Sequence, residues 1–209
     1  MINVALCDDH ALVRRGIRDT LLEATDITVT GEAGSYAELR DLLRNIECDV
    51  LLLDLNMPGR SGLEVLSSIR ETHSSIRVLI VSMFAEDQYA LRCLRAGAQG
   101  YANKAGDPEE LVKAVRTLHQ GRKYLTAEVA QMLAESVSEP TLGLPHAALS
   151  ERELQTLLKI ASGRKLSDIA QELMLSPKTV SVYRTRVMQK LNLSNNAELT
   201  VYALKNDLL

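Results

Sequence analysis

The chain has 209 residues, 46% of them hydrophobic but only 3% aromatic, with no Trp and a net charge of −3. This length suits one large or two small domains, and their cores must be aliphatic. No apolar run reaches the length of a membrane span, and the start Met1-Ile2-Asn3-Val4-Ala5-Leu6-Cys7 shows neither a basic leader nor a small-residue cleavage site, so a cytoplasmic protein without membrane attachment is expected.

Residues 3–7 form a short apolar run that reads as a buried strand and ends in Asp8-Asp9. Leu12, Val13, Ile17, Leu21 and Leu22 recur at helical spacing over 11–23. Residues 27–30 are a second short strand. Ser35-Tyr36-Ala37-Glu38 has the capping-box pattern and opens a helix with Leu39, Leu42, Leu43 and Ile46 inward. The run Val50-Leu51-Leu52-Leu53 is continuous enough to be buried on both faces, as in a parallel sheet, and ends in Asp54. Asn56, Met57, Pro58 and Gly59 then stop the strand and turn the chain. Residues 62–70 are a helix with Leu63, Val65, Leu66 and Ile69 inward, and 78–82 a fourth strand ending at Ser82. A helix over 86–96 is stopped by Gly97, and a fifth strand over 100–103 leads to Lys104. Asp107-Pro108-Glu109-Glu110 supplies an N-cap, a proline at the first helical position and acids in the first turn of a helix running to about Gln120.

Strand and helix alternate five times, which predicts an α/β fold with a parallel sheet covered by helices. In the flavodoxin-like, doubly wound order 2-1-3-4-5, strands one and three are neighbours, and ligands bind beyond the carboxyl ends of the strands. Asp8, Asp9 and Asp54 then converge at one end of the sheet, with Ser82 and Lys104 pointing into the same mouth. Carboxylates a few ångströms apart repel, and a bound cation relieves that repulsion. Oxygen-only ligands select a hard metal, Mg²⁺ being the best match. His10, His73, His119 and His146 form no cluster, and Cys7, Cys48 and Cys93 lack metal-ligand spacing, which fits a reduced compartment and not zinc. Taken singly these residues are ordinary: a solvated Lys, a strand-end Ser, a half-buried Tyr101.

The ordered set Asp8-Asp9, Asp54 with Asn56-Met57-Pro58-Gly59, Ser82, Ala96-Gly97-Ala98-Gln99-Gly100-Tyr101 and Lys104 resembles the receiver domain of bacterial response regulators over residues 1–122. The resemblance implies that Asp54 accepts a phosphoryl group from a sensor histidine kinase. It implies that Asp9, Asp54 and the backbone carbonyl of Asn56 bind Mg²⁺ directly, with Asp8 acting through water. Ser82 and Lys104 would contact the phosphoryl oxygens, and Tyr101 would be the switch aromatic that turns inward when Ser82 moves. Physical chemistry agrees: a carboxylate nucleophile approaching an anionic phosphoryl group needs a metal ion and an ammonium to offset the charge.

Residues 123–145 change character. A short helix over 126–135, with Val129, Met132 and Leu133 on one face, precedes a linker over 136–145 rich in Pro, Gly and Ser. From His146 onward nine Lys/Arg stand against six Asp/Glu, a net +3, leaving −6 for the rest. An acidic front and a basic back suggest two domains with different partners.

The remainder, 146–209, reads as a small all-α domain of four helices. Ser150-Glu151-Arg152-Glu153 is a second capping box, followed by Leu154, Leu157, Leu158 and Ala161 on a core face. Leu166, Ile169, Ala170 and Leu173 mark a short helix. Met174-Leu175-Ser176 joins it to a third, opened by Ser176-Pro177, as in a helix-turn-helix. A fourth helix runs from Asn195 to about Lys205. In the third, Val180, Tyr183, Val187 and Leu191 face inward. Lys178, Val182, Thr185 and Gln189 lie opposite, flanked by Ser181 and Arg186, and such a front fits a major groove. Leu149-Ser150-x-Arg152-Glu153, Ile169-Ala170, Leu175-Ser176-x-Lys178-Thr179-Val180 and Lys190-Leu191-Asn192 resemble the LuxR-type DNA-binding domain. Joined to a receiver, this is similar to the NarL/FixJ class of response regulators. The resemblance implies DNA contacts from Lys178, Thr179, Ser181, Val182, Thr185, Arg186 and Gln189 to promoter half-sites. Lys165 stands where a capping Ser or Asn is usual, so the second helix either starts near Ser167 or lacks its cap.

The expected function is therefore a phosphorylation-dependent DNA-binding transcriptional regulator of a bacterial two-component system. It is not an enzyme beyond self-catalysed phosphotransfer and autodephosphorylation at Asp54. Its partners would be a sensor histidine kinase, double-stranded DNA, a second copy of itself when phosphorylated, and RNA polymerase. Two rivals are a Mg²⁺-dependent phosphotransferase or phosphatase with an Asp nucleophile, and a receiver with only a protein-interaction output. The former usually has a second acid two residues past the nucleophile, where this chain has Asn56.

Overall fold

A computed structural model describes residues 1–57, 62–83, 86–138, 145–206 and 208–209. Pro58 and Gly59, expected to turn the chain, and linker positions 139–144 lie outside the described residues. The chain divides into two compact units, Met1–Glu135 and Ser136–Leu209.

The first unit contains β1 (Ile2–Cys7), α1 (Ala11–Leu22), β2 (Ile27–Ala33), α2 (Tyr36–Leu42), β3 (Val50–Asp54), α3 (Gly62–Thr72), β4 (Arg77–Ser82), α4 (Glu86–Arg95), β5 (Gly100–Asn103) and α5 (Pro108–His119). The strands form one five-stranded sheet in the order β2-β1-β3-β4-β5, and every pairing is parallel. This is the flavodoxin-like order the sequence predicts. One face carries Val4, Leu6, Val50, Leu52, Leu79 and Val81 against Leu21 of α1 and Ala114, Val115 and Leu118 of α5. The alternate residues Ala5, Cys7, Leu51, Leu53 and Ile80 are equally buried on the other side. All of β3 is buried, because a parallel strand covered on both faces has no wet side.

Several expectations shift. Only Leu21 of the α1 set is buried, while Leu12 and Leu22 are 84% and 53% exposed. The inward stripe runs through Val13, Ile17 and Leu21, one per turn, and Leu12 and Leu22 stand one position off it. The second strand continues past Thr30 to Ala33. The register slips between Val4 and Ala5, so Thr30 is the extra residue of a bulge, and its hydroxyl donates to the carbonyl of Val4 at 3.3 Å. Ser35 caps α2 as predicted, accepting from Glu38 N at 3.3 Å, but the reciprocal arm reaches one residue further. The Glu38 carboxylate accepts from Gly34 N at 2.7 Å. α5 opens on Asp107, whose carboxylate accepts from Glu109 N at 2.9 Å. α6 (Ala127–Ser138) extends three residues into the expected linker, since Ser136, Val137 and Ser138 contain no helix breaker.

The second unit has a 3₁₀ turn over Pro145–Ala148, then α7 (Glu151–Ala161), α8 (Leu166–Glu172), α9 (Pro177–Leu191) and α10 (Asn196–Lys205). α7 packs against α9 and α10, and α8 against α9. The capping box of Ser150 and Glu153 is complete. α8 starts at Leu166 without a side-chain cap from Lys165, which settles that alternative as a lost cap. The turn after α8 closes through Leu175 N to Ala170 O at 2.8 Å, with Met174 held at φ 54°.

Gly62, which opens α3, lies close against Leu55, the residue that follows β3. A Cβ there would stand 2.5 Å from Leu55 Cα, a backbone atom that cannot step aside. Gly62→Ala should lower the stability of the first unit by about 1–3 kcal/mol, read as an earlier transition in thermal unfolding, while the second unit melts as before.

Candidate functional site

The β1–β3 register sets Cys7 beside Leu53, so Asp8 and Asp54 emerge side by side at the carboxyl end of the sheet. Their side chains are only 5% and 2% exposed. β5 delivers Lys104 to the same place, tied by its N–H to the Ser82 carbonyl at 2.8 Å. The Lys104 ammonium, 3% exposed, lies 2.7 Å from Asp8 Oδ2 and 2.8 Å from Asp54 Oδ2. Asp54 Oδ1 accepts from Asn56 N at 3.1 Å. Arg14 donates to the carbonyl of Asp8 and pairs with Glu32 at 3.1 Å, which fixes the end of β1.

Burial pushes the Asp54 carboxyl above the usual carboxylate range, and the Asp8 charge adds to this. Lys104 and the Asn56 N–H pull it back. The same field reaches Cys7, whose thiol is pushed up to about 12 by burial and by Asp54 and Asp8, leaving it unreactive. Asp8 Oδ2 and Asp54 Oδ2 share the single Lys104 ammonium, and the buried Asp9 Oδ1 accepts no hydrogen bond. Acids gathered this closely, with one ammonium shared by two of them and an unpartnered Asp9 oxygen, fit a divalent cation.

Sequence reasoning brings Asp8, Asp9, Asp54, Asn56, Ser82 and Lys104 to one pocket; Asp8, Asp9, Asp54 and Lys104 lie together there, Asn56 joins through its N–H, and Ser82 is tied to Lys104 through its backbone carbonyl. It misses His10. Its ring lies 2.9 Å from Asp9 Oδ1, 3.4 Å from Asp8 Oδ1 and 4.0 Å from Asp54 Oδ2, and all four residues can offer a ligand atom within a 4.8 Å span. The signal was adjacency: His10 follows the acidic pair directly. A single histidine among carboxylates has no spacing to other histidines that would mark it. Tyr101 also differs from the half-buried aromatic expected. It is 1% exposed, on the sheet face shared with Ile80 and covered by α4. Ser82 is fully buried.

In the second unit, Ser176 caps α9 by accepting from Thr179 N at 3.0 Å. Val180, Val187 and Leu191 face the core as expected, joined by Met188, while Tyr183 is half-buried. Lys178, Val182, Thr185, Arg186 and Gln189 are exposed, with Thr179 and Ser181 partly so. Lys190 reaches back to Glu153 at 2.7 Å and to the carbonyl of Ala148 at 3.1 Å. Burial raises the Glu153 carboxyl, but Lys190 and the Ser150 N–H outweigh it and hold the group below its usual range. Arg184 donates to Asn196 at 2.6 Å. Among the described residues, Lys178 and Arg186 make no ion pair, so they are the cations of α9 left for an outside partner.

Lys104 is the only described cation between Asp8 and Asp54, so its loss leaves two buried carboxylates facing each other. Lys104→Met should destabilise the metal-free first unit by about 3–5 kcal/mol at neutral pH. The folded Asp54 carboxyl already titrates above its unfolded value, and removing Lys104 raises it further. The penalty is therefore present while the group is ionised and fades as pH falls through its raised pKa. Chemical denaturation of both proteins across the acid range checks this sign.

Comparison with known proteins gives one consistent answer. A response regulator receiver domain matches residues 4–116, and a domain of the bacterial regulatory proteins of the luxR family matches 147–203. The chain is 40% identical to the response regulator UvrY of Escherichia coli K12 over 209 residues, covering 100% of this chain and 96% of UvrY. It is 38% identical to the response regulator GacA of Pseudomonas protegens, covering 100% and 98%. Among solved structures it resembles RcsB from Salmonella enterica serovar Typhimurium bound to promoter rprA in the presence of the phosphomimetic BeF3⁻. That match has 28% identity and a TM-score of 0.64 over 96% of this chain and 97% of RcsB. The chain belongs to the response regulators of two-component systems, in the NarL/FixJ arrangement of a receiver followed by a luxR-family domain.

Proposed function

We propose that this response regulator is phosphorylated on Asp54 by a sensor histidine kinase in the cytoplasm and then binds promoter DNA as a dimer through α9. The observation that carries the first half is the buried Lys104 ammonium set between Asp54 and Asp8. An Asp54 oxygen attacks phosphorus, an O–P bond forms, and the N–P bond to the kinase histidine breaks. Lys104 and the Ser82 hydroxyl take phosphoryl oxygens, and the Asn56 N–H holds the other Asp54 oxygen in place. Asp9, Asp54 and the Asn56 carbonyl would hold Mg²⁺, with Asp8 acting through water. Mg²⁺ supplies charge neutralisation for the approach of two anions. Tyr101 is the residue that follows Ser82 between states. The chemistry is confined to self-catalysed phosphotransfer and autodephosphorylation at Asp54.

The second half rests on the exposed front of α9 and on the RcsB structure bound to a promoter. Lys178 and Arg186 act on phosphates, and Thr179, Ser181, Val182, Thr185 and Gln189 face base edges or flank them. One short helix offers few base contacts, so two copies on neighbouring half-sites bind together. Val201 and Leu204 of α10 are 49% and 59% exposed and give apolar surface for the pairing. The working domains are 1–122 for the receiver, 123–145 for the linker with its short helix, and 146–209 for DNA binding, with RNA polymerase as the final contact.

Acetyl phosphate with Mg²⁺ should add one phosphate to the full chain by intact mass, in wild type and Asp49→Ala but not in Asp54→Ala. Equal labelling of Asp54→Ala would falsify the assignment. Mg²⁺ at about 100 times its dissociation constant should stabilise the wild type by about 2.7 kcal/mol, and Asp9→Ala should show much less of this gain. On DNA, Lys178→Ala and Arg186→Ala should each lower the slope of log affinity against log salt by about one, while Thr185→Ala and Val182→Ala alter sequence preference.

A further inference from the structure

The acidic pocket holds a donor that the proposed Mg²⁺ site does not use. His10 occupies the N-cap position of α1, where Ser, Asp or Asn is favoured, yet its side chain caps nothing. Its ring turns instead to the carboxylates. Nδ1 stands 2.9 Å from Asp9 Oδ1, 3.4 Å from Asp8 Oδ1 and 4.0 Å from Asp54 Oδ2. Asp9 Oδ1 is buried and accepts no hydrogen bond, despite facing Nδ1 at 2.9 Å. Around an ion with donors at about 2.1 Å, neighbouring donors of an octahedron lie about 3.0 Å apart and opposite ones about 4.2 Å. The shortest and longest separations lie close to those two values, and the 3.4 Å one falls between them. The backbone supports the arrangement, since His10 N donates to Asp8 Oδ1 at 2.7 Å and so holds the histidine over the acids. The ring itself is 56% exposed, so its Nδ1 can be reached from solvent.

We infer that His10, with Asp8, Asp9 and Asp54, makes the phosphorylation pocket a second kind of metal site, one that takes a nitrogen-preferring divalent ion of the first transition row through Nδ1 in competition with Mg²⁺. Mg²⁺ prefers oxygen and has no use for the ring, whereas imidazole strengthens binding of Ni²⁺, Zn²⁺ and Cu²⁺. With His10 ligated, a coordination position otherwise open to a phosphoryl oxygen is filled. Such an ion therefore opposes phosphorylation. This inference rests on the proposed reading of the pocket as a Mg²⁺ site.

Calorimetric titration of the full-length, unphosphorylated protein with Ni²⁺, with and without excess Mg²⁺, tests it. In wild type, Ni²⁺ should bind more tightly than Mg²⁺ at a site that Mg²⁺ displaces. His10→Ala should weaken that Ni²⁺ binding by at least about tenfold without weakening Mg²⁺. His10→Gln, which keeps a polar side chain but no imidazole, should behave as His10→Ala does. In the wild type, paramagnetic broadening by Ni²⁺ should reach the His10 ring signals before those of His73 and His119. Ni²⁺ affinity unchanged in both variants, or Ni²⁺ binding that excess Mg²⁺ leaves intact, would overturn the role of His10. Failure of Mg²⁺ to bind the wild type at all is a different outcome, and it would overturn the pocket reading itself.

Discussion

Two carboxylates and one ammonium share a water-poor pocket at the carboxyl end of the sheet, and the first unit depends on their balance. Lys104 holds Asp8 and Asp54 at 2.7 and 2.8 Å. Each charge is expensive to bury alone, and attraction offsets the desolvation only when the partners stay in contact. The contact requires β1, β3 and β5 in their observed order, because Asp8, Asp54 and Lys104 arrive on three separate strand ends. Any slip in register would separate them. Asp9 adds an acid and His10 a nitrogen donor at the rim, which leaves the pocket with three carboxyl groups against the one ammonium of Lys104. A site of that kind responds strongly to one added cation or one added phosphoryl group.

The second unit is organised by a different tether. Lys190, near the end of α9, reaches Glu153 in the capping box of α7, and the same carboxylate accepts from Ser150 N at 2.7 Å. One glutamate thus caps one helix and pins another. Lys190 is spent on this contact, as Arg184 is on Asn196. The cations of α9 divide into those that hold the domain together and those, Lys178 and Arg186, that face outward.

Much of this was legible in the sequence. Strand order and acid convergence follow from five strand–helix repeats and the positions of Asp8, Asp9 and Asp54. The α9 faces follow from helical spacing and from Ser176-Pro177. What was not legible has physical reasons. The bulge at Thr30 is marked in the sequence by Gly31, but a glycine there reads equally as the end of a short strand. The exposure of Leu12 is a matter of one helical position. The role of His10 depends on a ring orientation that spacing does not encode. The length of α6 depends on residues that neither favour nor forbid a helix. Lys165 shows the limit of cap rules: α8 begins at Leu166 without one, and the burial of Ile169 and Ala170 holds it.

In the proposed function, modification of Asp54 governs whether α9 is engaged on DNA. Genome-wide footprinting of the protein in its own cells, wild type against Asp54→Ala at equal expression, tests it most directly. Discrete protected sites are expected in the wild type, each spanning two half-sites about one helical turn apart, and their loss in Asp54→Ala. Equal occupancy of the same sites in both strains would contradict it and would move control by the receiver to a step after DNA binding.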